Sequence, residues 1–156
     1  MNLSERGRKM IEDFEGRKNK PYKCPAGAMT IGIGHALTKA ELDSGAIAID
    51  GASVAWKNGL TSAQVDALFD QDVEPFERLI NTTTHRAINQ NQFDALVSFA
   101  FNIGAYAYRH STALRKLNSY DRSEVPAEMR RWDKAGGKKI AGLTERRKQE
   151  SELFSA

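Results

Sequence analysis

The stretch FEGRKNKPYKCPAGAMTIGIGH, Phe14 to His35, decides how this chain reads. It opens on Glu15 and Gly16, runs through Pro21, Pro25 and Gly27, and closes on the β-prone piece MTIGI. Upstream, Leu3, Met10, Ile11 and Phe14 recur at helical spacing, with Ser4 as a cap and Gly16 as a stop. The stretch therefore marks where a first helix gives way to a small lobe of hairpins and loops, about residues 17–60, that also holds the β-prone AIAI.

Beyond it the pattern is helical. T-S-A-Q from Thr61 is a capping box, followed by the apolar stripe Val65, Leu68, Phe69, Val73, Phe76 and Ile80. Pro75 should kink or limit that helix. Asn89 can cap a segment carrying Phe93, Leu96, Val97, Ala100, Phe101 and Ile103, apolar nearly all round and so expected at the centre of the core. Shorter helices are expected near 112–118, 124–133 and 144–153, with Gly136-Gly137 as a loop and Thr144 as a cap. The prediction is an α+β fold, mostly helical: one domain over 1–156, a small β lobe after the first helix, and a helical lobe over about 61–156 plus the N-terminal helix. A cleft between the two lobes would be the usual place for a ligand.

The totals restrict the function classes. At 156 residues, 40% hydrophobic and 28% charged, the chain can bury a real core. No apolar run approaches the roughly 20 residues that span a bilayer. Charges interrupt MNLSERGRKMIEDFEG where a signal peptide needs its apolar centre, so synthesis in the cytoplasm is expected. A single cysteine excludes an internal disulfide, and no Cys/His spacing suggests zinc; no cofactor is expected. The net charge of +3 is unevenly spread, with Arg130, Arg131, Lys134, Lys138, Lys139, Arg146, Arg147 and Lys148 crowded near the C-terminal end. A basic surface favours polyanions, although such runs are commonly solvated helix faces.

Read singly, the reactive residues of the opening stretch are ambiguous. Glu15 meets the negative end of its helix dipole, which favours the acid form a proton donor needs. By position alone it is a surface glutamate. Cys24 reads as a small hydrophobe, or as a peptidase nucleophile with His35, His85 or His110 as base. Thr30 reads as a strand residue.

The spacing joins them. Glu15, eight residues, Cys24, five residues, Thr30 resembles the E…D/C…T pattern of the phage-type lysozymes, the endolysins of glycoside hydrolase family 24. Phe14-Glu15-Gly16, Tyr22 and TIGIGH agree with that family. So do QFDALVSFAFNIG (Gln92–Gly104) and RRWDKAGGKKIAGLTERRKQE (Arg130–Glu150), and the resemblance covers nearly the whole chain. It implies a peptidoglycan substrate and hydrolysis of the β-1,4 bond from N-acetylmuramic acid to N-acetylglucosamine. Glu15 would be the general acid, with Cys24 and Thr30 as the other catalytic positions. Cys24 stands where many relatives carry aspartate, which leaves open water positioning, base catalysis or a covalent intermediate. Gly34, Ala36, Phe101, Asn102 and Ile103 would contact substrate. Arg146 would support Glu15, and His35 would pair with Asp72 for stability.

The resemblance further implies a monomer without nucleic-acid partners, held in the host cytoplasm until holin-dependent release. A weak contact of the basic C-terminal helix with anionic envelope surfaces is a further expectation. The rival readings are a lytic transglycosylase, a cysteine-dependent peptidoglycan peptidase and a non-catalytic basic wall-binding module.

Overall fold

The computed structural model describes residues 1–156. The first helix, α1, is Glu5–Glu15. Ser4 caps it: its Oγ accepts from the Gly7 N–H at 3.2 Å and donates to buried Asp94. Gly16 ends it with φ 76°, its N–H returning 2.8 Å to the Glu12 carbonyl.

Strands β1 (Lys18–Lys23), β2 (Met29–Gly32) and β3 (His35–Ala36) form an antiparallel sheet in that order. Its register sets Tyr22 opposite Thr30, and Thr30 opposite Ala36. The short helix α2, Lys39–Ser44, follows on a Thr38–Glu41 capping box. The hairpin β4 (Ala46–Ile49) and β5 (Ala52–Ala55) comes next. The expected hairpins are there, but α2 was not expected. It buries none of its residues, so no apolar stripe announces it.

Helix α3, Ser62–Thr83, starts on the expected Thr61–Gln64 box. It does not stop at Pro75. A proline's φ suits a helix and removes one N–H bond, here from the Gln71 carbonyl. Val73, Leu79 and Ile80 are buried on either side and outweigh that loss. Helix α4, Gln90–Ile103, has the expected Asn89 cap, boxed with Gln92, and every residue from Phe93 to Ala100 is buried.

The rest departs from expectation in detail. A helix not foreseen, α5 (Ala105–Arg109), precedes α6 (Thr112–Leu117). Helix α7, Val125–Arg130, ends before the expected residue 133. Gly136-Gly137 turns a two-stranded hairpin, β6 (Lys134–Ala135) with β7 (Lys138–Lys139). Helix α8 runs Ala141–Ser155 with no side-chain cap. Thr144 lies inside its first turn, Oγ1 donating to the Ile140 carbonyl at 3.2 Å, and so is not the cap.

The chain divides into two compact units. One is Glu12–Glu74, with a core of Ile31, Ile33, Ile47, Ile49, Trp56, Leu60, Val65, Leu68 and Phe69. The other is Met1–Ile11 with Pro75–Ala156. There α8 packs on α4 and α7 over Phe93, Phe99, Tyr108, Met129, Leu153 and Phe154.

Candidate active site

Within Glu12–Glu74 the fold gathers the residues singled out by their spacing. Glu15 is the last residue of α1 and is half-buried. Its carboxyl lies on Gly34, in the turn between β2 and β3. A Cβ built on Gly34 would fall 2.7 Å from Glu15 Oε2 and 3.1 Å from its Cδ, and Gly34 sits at φ 68°. Both facts demand glycine.

Cys24 follows β1 directly and is partly exposed. Its N–H donates to the Ala28 carbonyl at 2.9 Å, and its own carbonyl accepts from Gly27 at 2.8 Å. This tight turn folds the backbone of Ala26, Gly27 and Ala28 back toward Cys24. The N–H of Ala28 lowers the thiol from its ordinary value; burial opposes, and the Ala26 N–H, the Thr30 hydroxyl and the Gly27 N–H add to the lowering. Thr30 is 5% exposed, and its hydroxyl donates to the Ala28 carbonyl at 3.1 Å. One hydroxyl proton cannot serve that carbonyl and the sulfur at once, so it favours whichever is more negative.

Tyr22 belongs to the same cluster. It lies opposite Thr30 in the sheet, and burial followed by the charges of Cys24 and Glu15 raises its phenol. Its neighbourhood with Glu15 and Cys24 becomes visible only once the β1–β2 register is known.

His35 is held at both ring nitrogens. Nδ1 lies 2.7 Å from Asp72 Oδ2, as expected, and Nε2 lies 3.0 Å from Glu41 Oε2, a partner the sequence reading missed with α2. Burial alone would lower this imidazole, but the bonds and charges of Asp72 and Glu41 raise it to about 9. With neither nitrogen free, His35 does not serve Cys24 as a base, which removes one of the three partners of the peptidase reading. Ala36, the residue after it, is exposed.

The other expected residues lie in the second unit. Phe101 and Ile103 are half-exposed near the end of α4, and Phe101 packs edge-on against Phe76 at 5.4 Å between centroids. Asn102 is exposed, and its Oδ1 accepts from Arg147 Nη2 at 2.6 Å. Arg146 is 4% exposed; Nε lies 3.1 Å from Glu150 Oε1, and Nη2 donates to the Ser98 carbonyl at 3.1 Å. Arg147, Leu153 and Phe154 are buried too, so two of the three adjacent basic residues and the apolar end of α8 face the core. That leaves the helix little to offer an anionic surface. No group of three or more His, Cys, Asp or Glu side chains is placed to hold a metal.

Comparison with known proteins follows the same lines. The family model described as Phage lysozyme matches residues 12–150. The endolysin of Bacillus phage PZA is 37% identical over 158 residues, covering 100% of this chain and 56% of that relative. The chain thus spans about half the length of that relative. The endolysin of Acyrthosiphon pisum secondary endosymbiont phage 1 is 36% identical over 160 residues, 100% of this chain and 99% of the relative. The solved muramidase domain of SpmX from Asticaccaulis excentricus superposes with a TM-score of 0.79 at 32% identity, covering 99% of this chain and 98% of that one. The chain belongs to the phage lysozyme family.

Proposed function

We propose that this chain is a lysozyme of the endolysin type. It hydrolyses the β-1,4 bond from N-acetylmuramic acid to N-acetylglucosamine in bacterial peptidoglycan, for lysis of a phage-infected host. The observation that supports this best is the cluster around β1 and β2: Glu15 seated on Gly34, Cys24 drawn toward thiolate, and Thr30 opposite Tyr22.

In this reading Glu15 gives its proton to the glycosidic oxygen as the C–O bond breaks, and positive charge develops on the sugar ring. Thr30, its proton turned to a Cys24 thiolate, still offers lone pairs, and the thiolate offers more. A water held by two acceptors keeps its own lone pair for the anomeric carbon. The water's departing proton passes to the sulfur. Asn102, Phe101 and Ile103 on α4, with Ala36 and the Gly34 backbone, contact the glycan; Arg146, His35 and Asp72 support the site. The enzyme works as a monomer. Cytoplasmic synthesis and holin-dependent release are proposed on the family resemblance. No helix of the chain is long and apolar enough to cross a membrane.

Mass spectrometry of products from purified peptidoglycan tests the assignment. Reducing N-acetylmuramic ends, absent with Glu15→Gln, are expected. Anhydro ends would move the chain to the transglycosylases, and new free amino groups to the peptidases.

A further inference from the structure

The sequence places Arg147 in a run of surface charge, yet it is 1% exposed, beside Glu150 at 0%. Its Nε lies 3.0 Å from Glu150 Oε2, and its Cζ stands 5.0 Å from the centre of the Phe99 ring. A carboxylate on one edge and a ring on one face leave this guanidinium little freedom to turn. Its Nη2 reaches out of the core to Asn102 Oδ1 at 2.6 Å. A guanidinium only donates, so the Asn102 atom that faces it must be the oxygen. The amide is planar, and its –NH2 therefore points away from Arg147. Asn102 is exposed, and this –NH2 has no partner within the protein. The bond is short and charge-assisted, about twice as strong as a neutral one, so flipping the amide would lose it and set like against like.

We infer that Arg147 is a positioning residue that locks the Asn102 amide with its –NH2 toward solvent, so that Asn102 reads an oxygen acceptor on the glycan, the acetamido carbonyl of an amino sugar. The inference rests on the lysozyme reading and adds a polarity to it. An amide free to rotate could greet a hydroxyl as donor or acceptor; a locked one presents donors only. Acetamido carbonyls are the strongest neutral acceptors of the repeating disaccharide, and a glucose polymer has none.

The test is titration of the full-length chain with chitotetraose, followed through the side-chain amide signals of Asn102 by nitrogen-15 NMR. These signals should shift saturably with chitotetraose and stay in place with cellotetraose. Asn102→Asp keeps an oxygen for Arg147 but removes both donors. It should melt no lower than the wild type, raise KM on soluble peptidoglycan fragments about 10-fold, and leave kcat within about two-fold. Arg147→Lys, which keeps the charge beside Glu150 but not the planar fork, should broaden the Asn102 amide pair. Stationary Asn102 signals while hydrolysis continues, an equal response to cellotetraose, or a KM for Asn102→Asp within two-fold of wild type would overturn the inference and leave the lysozyme assignment standing. A folded wild type that neither binds chitotetraose nor cleaves peptidoglycan would overturn both.

Discussion

At Gly34 one missing carbon decides where an acid sits. Gly34→Ala must place its Cβ 2.7 Å from Glu15 Oε2 while holding φ 68°. The left-handed backbone alone costs about 1–2 kcal/mol. If Glu15 is the proton donor proposed above, displacing it by part of an ångström should lower kcat about 100-fold. Steady-state kinetics beside a thermal melt checks both; full activity in the variant would mean that Glu15 works from another place. Cys24 carries a second prediction. If the thiolate is the working form beside a protonated Glu15, activity falls once pH passes the Cys24 pKa, which the turn holds below the ordinary thiol value. Cys24→Asp should keep substantial activity and move that fall into the carboxylate range, and Cys24→Ser should remove the Cys24 step from the profile. Identical profiles for wild type and Cys24→Ser would exclude a titrating sulfur from the mechanism. At this scale the E…C…T spacing pointed to the candidate cluster around β1 and β2. The tuning of Cys24 was not legible, because it comes from backbone N–H groups of Ala28, Ala26 and Gly27, which side-chain identity does not encode.

Among elements, His35 ties β3 to α2 and α3 through Glu41 and Asp72. Its folded pKa, about 9, stands above the unfolded 6.5. The stabilisation is therefore fully present below about pH 6.5 and lost as pH rises through about 9. Allowing for solvent screening it amounts to about 2 kcal/mol. His35→Asn should lower the melting temperature clearly at pH 6 and hardly at pH 10, with kcat little changed. A melting difference independent of pH would show that shape, not charge, matters there. The sequence reading found the Asp72 half of this clip and missed Glu41. Helix α2 has its capping box but no buried face, and periodicity is blind to such a helix. Pro75 does not limit α3, because the buried residues around it outweigh the local rule.

Over the whole molecule, charge is arranged less conventionally than hydrophobicity. The core of the unit Met1–Ile11 with Pro75–Ala156 includes Arg146, Arg147 and Glu150, with the Ser98 hydroxyl donating to Glu150 Oε1 at 2.7 Å. Glu150→Gln would leave two buried guanidiniums around a neutral amide and should destabilise by about 3–5 kcal/mol. Lys148→Gln, on an exposed residue of the same helix, should stay within about 0.5 kcal/mol. Urea melts of the two variants make the comparison; equal effects would mean that the cluster contributes no more than a surface pair. The buried side of α8 is written partly in charged letters, so Arg147 could not be told from Lys148 by type alone. The apolar helix α4, by contrast, was legible from end to end.

The chain's single, partly exposed thiol at Cys24 has a practical consequence for work at the bench. One equivalent of an alkylating dye should tag this centre and nothing else, with no residue to remove or introduce beforehand. Activity should then fall in proportion to the fraction of molecules tagged.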